Sequence, residues 1–175
     1  MTEEYKIVIS EERIRERVRE LADRISRDYE GQELLVVGVL KGAFIFLADL
    51  IRVLRIPVRV DFIHVSSYGD AARSSGTVTP IRELTEDIRG RHILIVEDIL
   101  DSGLTLKSLS EALLLREPAS LRIAALIVKA IDRQFPLLAD YVGFEMGDQF
   151  LVGYGLDYSG RYRELPFVAE IEVEI

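Results

Sequence analysis

A chain of 175 residues, 49% hydrophobic and 30% charged, is long enough to bury a good core in one domain spanning 1–175 and too apolar for a disordered chain. The absence of cysteine excludes disulfides, thiolate metal sites and cysteine nucleophiles, and two histidines, His64 and His92, are too few for a histidine-rich metal cage. A net charge of −8 argues against a nucleic-acid surface, while the acidic start MTEEYK and the lack of a bilayer-length apolar run predict a cytoplasmic protein without membrane contact.

Ser10, Glu11, Glu12 and Arg13, followed by Ile14, Val18, Leu21, Ala22 and Ile25 at helical spacing, predict an N-capped amphipathic helix ending near Gly31. Residues 34–40 (LLVVGVL) read as a buried strand, 43–53 (AFIFLADLIRV) as a helix and 58–65 as another strand. The stretch 66–79 (SSYGDAARSSGTVT) has no strand or helix period and reads as a loop or hairpin. Residues 92–96 (HILIV) predict a buried strand, and Leu106, Leu109 and Leu113 a helix. Strands follow at 121–128, 141–144 and 150–154, and the alternating tail 168–175 reads as an edge strand. Strands alternating with helices imply an α/β fold, a parallel sheet flanked by helices and joined by right-handed crossovers.

The stretch after 92–96 carries the chemistry. Glu97 and Asp98 stand together at the carboxyl end of a predicted strand, where α/β sheets bind ligands. Adjacent carboxylates need a cation or hydroxyl donors to offset their repulsion and lost hydration, and Mg²⁺ or sugar hydroxyls qualify. Asp101, Ser102, Gly103, Leu104 and Thr105 then bring small and hydroxylated residues to a helix start, where free amides and the helix dipole favour an anion. One loop thus offers acids to a sugar and amides to its phosphate, although an ordinary turn with a solvated acidic tip has the same outline. Only four lysines occur, and Lys41, followed by Gly42, lies between a strand and a helix with amides suited to a diphosphate. Lys129 ends another strand. Phe150, opening an apolar strand, reads by itself as a core residue rather than a ligand contact, and both histidines read as structural.

VEDILDSGLTL resembles the phosphoribosyl diphosphate motif of the type I phosphoribosyltransferases in the form carried by the hypoxanthine-guanine phosphoribosyltransferases, and the stretch 147–158 (GDQFLVGYGLDY) resembles that family's second signature. The resemblance runs from the Lys41 turn to Arg163. It implies a core of about 10–140 with a small hood from 1–9 and 141–175, which periodicity alone does not reveal. It also implies transfer of phosphoribose from 5-phosphoribosyl 1-diphosphate to N9 of hypoxanthine or guanine, with Mg²⁺. Asp101 would move the proton at purine N7, and Glu97 and Asp98 would hold ribose hydroxyls or their Mg²⁺. Residues Asp101 to Thr105 would cradle the 5′-phosphate. Lys41, Gly42, Ser67, Tyr68 and Arg163 would hold the diphosphate, Arg161 being the nearby competitor. Lys129 would read the purine O6, Phe150 stack on the ring, backbone near Leu151 meet its edge, and Asp157 hold a second Mg²⁺. The family's leucine–lysine peptide, here Leu40–Lys41, is often cis.

Gly147 and Gln149 depart from the family's usual proline and lysine or acid, which leaves base preference open. The resemblance further implies a homodimer or homotetramer acting on small molecules. Two other classes are weighed against it. An RNA-binding regulator of the same superfamily calls for a clustered basic face that this acidic chain does not advertise. A phosphorylated receiver domain shares the acids but leaves the Ser-Gly-Leu-Thr turn and Phe150 unexplained.

Overall fold

The computed structural model describes residues 5–65, 80–82, 84–130 and 139–172. In chain order the elements are β1 (Tyr5–Ile9), α1 (Glu11–Asp28), β2 (Leu34–Leu40), α2 (Phe44–Val53), β3 (Val58–Val65), β4 (Pro80–Arg82), β5 (His92–Leu100), α3 (Leu104–Leu114), β6 (Ser120–Lys129), β7 (Tyr141–Met146), β8 (Leu151–Val152) and β9 (Val168–Ile171). Ser10 caps α1 as expected, its hydroxyl accepting from the Arg13 amide at 3.3 Å.

The main sheet has the order β4-β3-β2-β5-β6-β7. Strands β3, β2, β5, β6 and β7 are mutually parallel, and β4 runs antiparallel to β3. Because β2 and β5 are buried on both faces, their side chains alternate between two cores. Leu34, Val36, Leu94 and Val96 meet α1 and α2 through Ile14, Val18, Leu21, Phe46 and Leu50. On the other face, Leu35, Val37, Ile93 and Ile95 meet Leu106, Leu109 and Leu113 of α3. Each such fully buried aliphatic side chain contributes about 1.5–3 kcal/mol.

The chain steps from β2 outward to β3 and then returns to lay β5 on the other side of β2, before continuing to β6 and β7. Connections therefore leave the carboxyl ends of β2 and β5 in opposite directions, and a crevice opens between them. A three-stranded sheet, β1-β9-β8, forms the small lobe near this edge. Its residues Ile9, Leu151, Tyr154, Leu156 and Val168 join the α1–α2 core, which ties the lobe to one face of the main sheet.

Several elements differ from their sequence-based outlines. Strand β5 continues through Leu100, because β6 goes on pairing with it to Leu100↔Val128, so Glu97 and Asp98 lie within the strand rather than beyond it. Residues 141–146 pair with β6 in the main sheet, so the small lobe takes its C-terminal strands from β8 onward. The expected edge strand of the tail, β9, is the central strand of that lobe, paired on both sides. Alternation in sequence reports which faces are wet, and a strand's neighbours are set by the fold. Strand β8 stops at Val152 because the next three residues take positive φ, incompatible with an extended ladder.

Candidate functional site

A crevice of about 270 Å³ opens where β2 and β5 diverge, lined by Val39, Leu40, Gly42, residues 97–103, Thr105 and Leu106. On the β2 side, the Leu40–Lys41 peptide is cis and the Lys41 side chain is exposed. Gly42 approaches β5 so closely that a Cβ there would land on the Asp98 carboxylate. Any larger residue there would displace the Asp98 side chain, and the Lys41–Gly42 turn and the acidic pair form one wall.

On the β5 side the two acids are not equivalent. Glu97 is buried, and loss of hydration, the Asp98 charge and a side-chain hydrogen bond with Asp98 together hold its carboxyl well above the usual carboxylate range. The Asp98 amide donates to Glu97 Oε1 at 3.2 Å. Burial and the neighbouring charge thus favour the protonated form of Glu97, an effect the bare sequence does not suggest.

Beyond them Asp101 and Ser102 are exposed and Gly103, in the left-handed region at φ +78°, starts α3. Gly103 supplies no side-chain cap, and the Ser102 hydroxyl accepts from the Leu104 amide at 3.5 Å. Amides of the first turn therefore face the crevice mouth beside the hydroxyls of Ser102 and Thr105, an arrangement that favours an anion.

The other candidate residues lie outside this lining. Lys129, half-buried, ends β6 beside Met146 of β7. Phe150 is 42% exposed, so it is no core residue, and its ring meets Tyr158 edge-on at 5.5 Å. Leu151 is buried and paired with Glu170. Asp157 accepts from the Gly160 amide at 2.7 Å and pairs with Arg163 Nη2 at 2.6 Å, while Arg163 Nη1 donates to the Gly155 carbonyl at 2.5 Å.

Residues 6–159 match the family described as the phosphoribosyl transferase domain. The hypoxanthine-guanine phosphoribosyltransferase of Bacillus subtilis (strain 168) is 46% identical over 167 residues, 95% of this chain and 93% of that protein. The chain is also 44% identical over 170 residues, 97% of its length, to the bifunctional protein TilS/HprT of Listeria innocua serovar 6a, of which it spans 26%. A crystal structure of a hypoxanthine-guanine phosphoribosyltransferase from Bacillus anthracis superposes with a TM-score of 0.92 at 45% identity, covering 97% of this chain and all of that one. The chain belongs to the hypoxanthine-guanine phosphoribosyltransferase family.

Its α/β architecture is the type I phosphoribosyltransferase fold, with the parallel strands β3-β2-β5-β6-β7 at the centre. Of the residues expected from the family motifs, Gly42, Glu97, Asp98, Asp101, Ser102, Gly103 and Thr105 line this crevice, with Lys41 and Leu104 next to them in the chain. Asp157 and Arg163 stand as a pair on the segment whose Gly155 rests on Gly42. Between the two candidate arginines, Arg163 is the one tied to Asp157, while Arg161 is exposed and lies over the Tyr162 ring. Ser67 and Tyr68 lie outside the described residues. Tyr154 lies within the 147–158 signature without a role implied for it there; it is buried and donates to Asp49 Oδ2 at 2.6 Å. Its only trace in sequence is an aromatic flanked by two glycines.

Proposed function

We propose that this protein transfers the phosphoribosyl group of 5-phosphoribosyl 1-diphosphate to N9 of hypoxanthine or guanine, giving IMP or GMP and diphosphate in purine salvage. The observation that carries the reading is the joining of the acidic pair, the first turn of α3 and the Lys41–Gly42 turn in one crevice. The names of the relatives supply the base class.

In this reading, Asp101 to Thr105, with Ser102, Gly103 and Leu104 between, cradle the 5′-phosphate through amides and hydroxyls. Asp98 and Glu97 take the ribose hydroxyls. Lys41, the Gly42 amide and Arg163 hold the diphosphate, with Ser67 and Tyr68 as further contacts. The bond from C1 to the diphosphate oxygen breaks as N9 bonds to C1, and Asp101 accepts the proton at N7 so that the imidazole ring becomes the better nucleophile. Lys129 donates to the O6 carbonyl of a 6-oxopurine and would meet the amino group of adenine donor to donor. Phe150 offers its exposed face to the purine, and backbone near Leu151 its polar edge.

The donor set suits Mg²⁺. Glu97, Asp98 and Asp157 offer hard oxygens, and among the described residues no group of three or more histidine, cysteine or acidic side chains forms a cage of its own. Such a site matches an ion that keeps waters and takes most ligands from substrate phosphates. Glu97 and Asp98 would hold it on the ribose side and Asp157 on the diphosphate side, where it would neutralise charge on the departing group. No described helix is long and apolar enough to cross a membrane. Assembly as a homodimer or homotetramer is part of the same reading, checked by sedimentation.

The test is turnover by the purified protein with 5-phosphoribosyl 1-diphosphate, Mg²⁺ and, separately, hypoxanthine, guanine and adenine. IMP and GMP should form at least 10²-fold faster than AMP, as expected where a buried donor meets the wrong group. No product from either 6-oxopurine overturns the function, and equal use of adenine overturns the role of Lys129.

A further inference from the structure

The segment after β8 is held in an unusual form. Gly153, Tyr154 and Gly155 have φ values of +93°, +51° and +101° in succession. A tyrosine in the left-handed region persists only where its surroundings hold it, and such residues cluster where geometry serves function. Two bonds hold this one: its amide donates to the Leu165 carbonyl at 2.8 Å and its hydroxyl to Asp49 Oδ2 at 2.6 Å.

Both ends of the second bond lead to the diphosphate turn. Asp49 lies on α2, which grows directly out of that turn: the Phe44 amide donates to the Lys41 carbonyl at 3.3 Å and the Leu47 amide to Ala43 at 2.9 Å. Next to Tyr154, Gly155 sits so near the Gly42 carbonyl that a Cβ on it would collide there. Gly155 is in turn tied to Arg163, whose guanidinium donates to its carbonyl and whose carbonyl accepts its amide at 3.0 Å. Arg163 holds Asp157. Tyr154 and Leu156 of this strap pack into the α1–α2 core, while a cleft of about 620 Å³ runs between α1, α2 and residues 164–166, with Asp49 and Tyr154 in its wall, so the hydroxyl bond spans the rim of an open space.

We propose that Tyr154 is a positioning residue whose hydroxyl, by donating to Asp49, clamps the 153–157 strap onto the Lys41–Gly42 turn and so sets Asp157 and Arg163 against the diphosphate bound there. The inference rests on the proposed function above. A purely structural tyrosine would need only its ring, which phenylalanine supplies; the clamp needs the hydroxyl and an acceptor at position 49. Burial and the neighbouring carboxylate raise the Tyr154 hydroxyl above its usual range, so it remains a donor at neutral pH.

The experiment compares wild type with Tyr154→Phe, Asp49→Ala, Asp49→Asn, the double variant Tyr154→Phe/Asp49→Ala and the control Arg52→Ala, since Arg52 is the other partner of Asp49. Steady-state constants are measured for 5-phosphoribosyl 1-diphosphate and for hypoxanthine at fixed Mg²⁺. Tyr154→Phe and Asp49→Ala should each raise KM for the phosphoribosyl substrate about tenfold and leave KM for hypoxanthine within about twofold, the size of effect one hydrogen bond allows. Asp49→Asn, whose amide oxygen still accepts, should restore near wild-type values, Arg52→Ala should change little, and the double variant should be no worse than the singles. An unchanged phosphoribosyl KM in Tyr154→Phe, an equal rise in both KM values, or an Asp49→Asn as impaired as Asp49→Ala overturns the clamp. So does an Arg52→Ala that mimics Asp49→Ala. Tyr154→Phe, lacking a single oxygen, carries the test if Asp49→Ala fails to fold. Wild-type turnover in the same assay separates the two ideas: if it is absent the function fails, and if it is present with Tyr154→Phe unaltered only the clamp fails.

Discussion

Glu97 shows how one residue can be kept at a cost to stability. Its carboxyl is raised by burial first and by Asp98 second, so the folded chain binds its proton more tightly than the unfolded chain does. The linkage sign follows: this group's contribution is fully present below about pH 4.5, the unfolded value, and is lost as pH rises through the higher native value. Glu97→Gln keeps the neutral form at every pH. In urea melts without Mg²⁺ or substrate it should match wild type near pH 4 and exceed it at pH 7 and above, by about 1–3 kcal/mol, the range for incompletely compensated buried polar groups. A stability difference that does not grow with pH would contradict this account. The same variant should bind the phosphoribosyl substrate more weakly, the usual trade between a strained site and its use. Asp101 makes the opposite case: it is exposed at the crevice mouth, where it can reach a bound base without supporting the fold. Asp101→Asn should lower kcat by about 10²–10⁴, the usual span for a lost general base, while the substrate dissociation constant from equilibrium titration stays within about threefold. An unchanged kcat would remove Asp101 from proton transfer.

At the scale of elements, the site is two strand ends and the turns that follow them. The β2 turn works because Gly42 lets the backbone reach the Asp98 carboxylate. Gly42→Ala should overpack that contact at about 1–3 kcal/mol and push the turn away from β5. The expected result is a tenfold or greater loss in phosphoribosyl KM with little change for hypoxanthine, and matched losses for both substrates would show that the variant merely loosens the fold. Strands β2 and β3 follow their sequence outlines residue for residue, because an unbroken apolar run in β2 and a valine- and isoleucine-rich stretch in β3, each bounded by turns, admit few other readings. The acids' location inside β5 was not legible, since it depends on how far β6 keeps pairing, a tertiary fact. The raised carboxyl of Glu97 was hidden for the same reason, as burial is a property of the packed molecule. Tyr154 reads in sequence as one more aromatic in an apolar run, and its left-handed backbone is imposed by bonds from 163–165 that no local pattern announces. By contrast the start of α3 at Gly103 was legible, because helix-start chemistry is local.

On the scale of the whole molecule, a broad sheet supports a lobe of few strands. Residues in the middle of β2, β5 and β6 are wholly buried, and their amides lie between paired neighbours on both sides. Among the described residues the lobe's separate interior consists of Val152, Ala169 and Ile171, with Tyr158, Tyr162 and Phe167 partly buried around them. Its link to the main core runs through Ile9, Leu151, Tyr154, Leu156 and Val168. Regions with a small apolar interior open at lower free energy than the sheet that carries them, and the parts that handle ligands come from this end of the range. Amide hydrogen exchange should therefore be slowest in β2, β5 and β6 and measurably faster in β1, β8 and β9. Adding 5-phosphoribosyl 1-diphosphate with Mg²⁺ should slow exchange at residues 151–163, since a diphosphate held by Arg163 and the Lys41 turn joins the lobe to the main sheet. It should leave the central strands, already at the global limit, altered only by the overall gain in stability that any ligand of the native state confers. Lobe amides as protected as those of β5 in the free protein, or a ligand effect confined to α3, would mean that lobe and sheet open together and that the strap takes no part in binding.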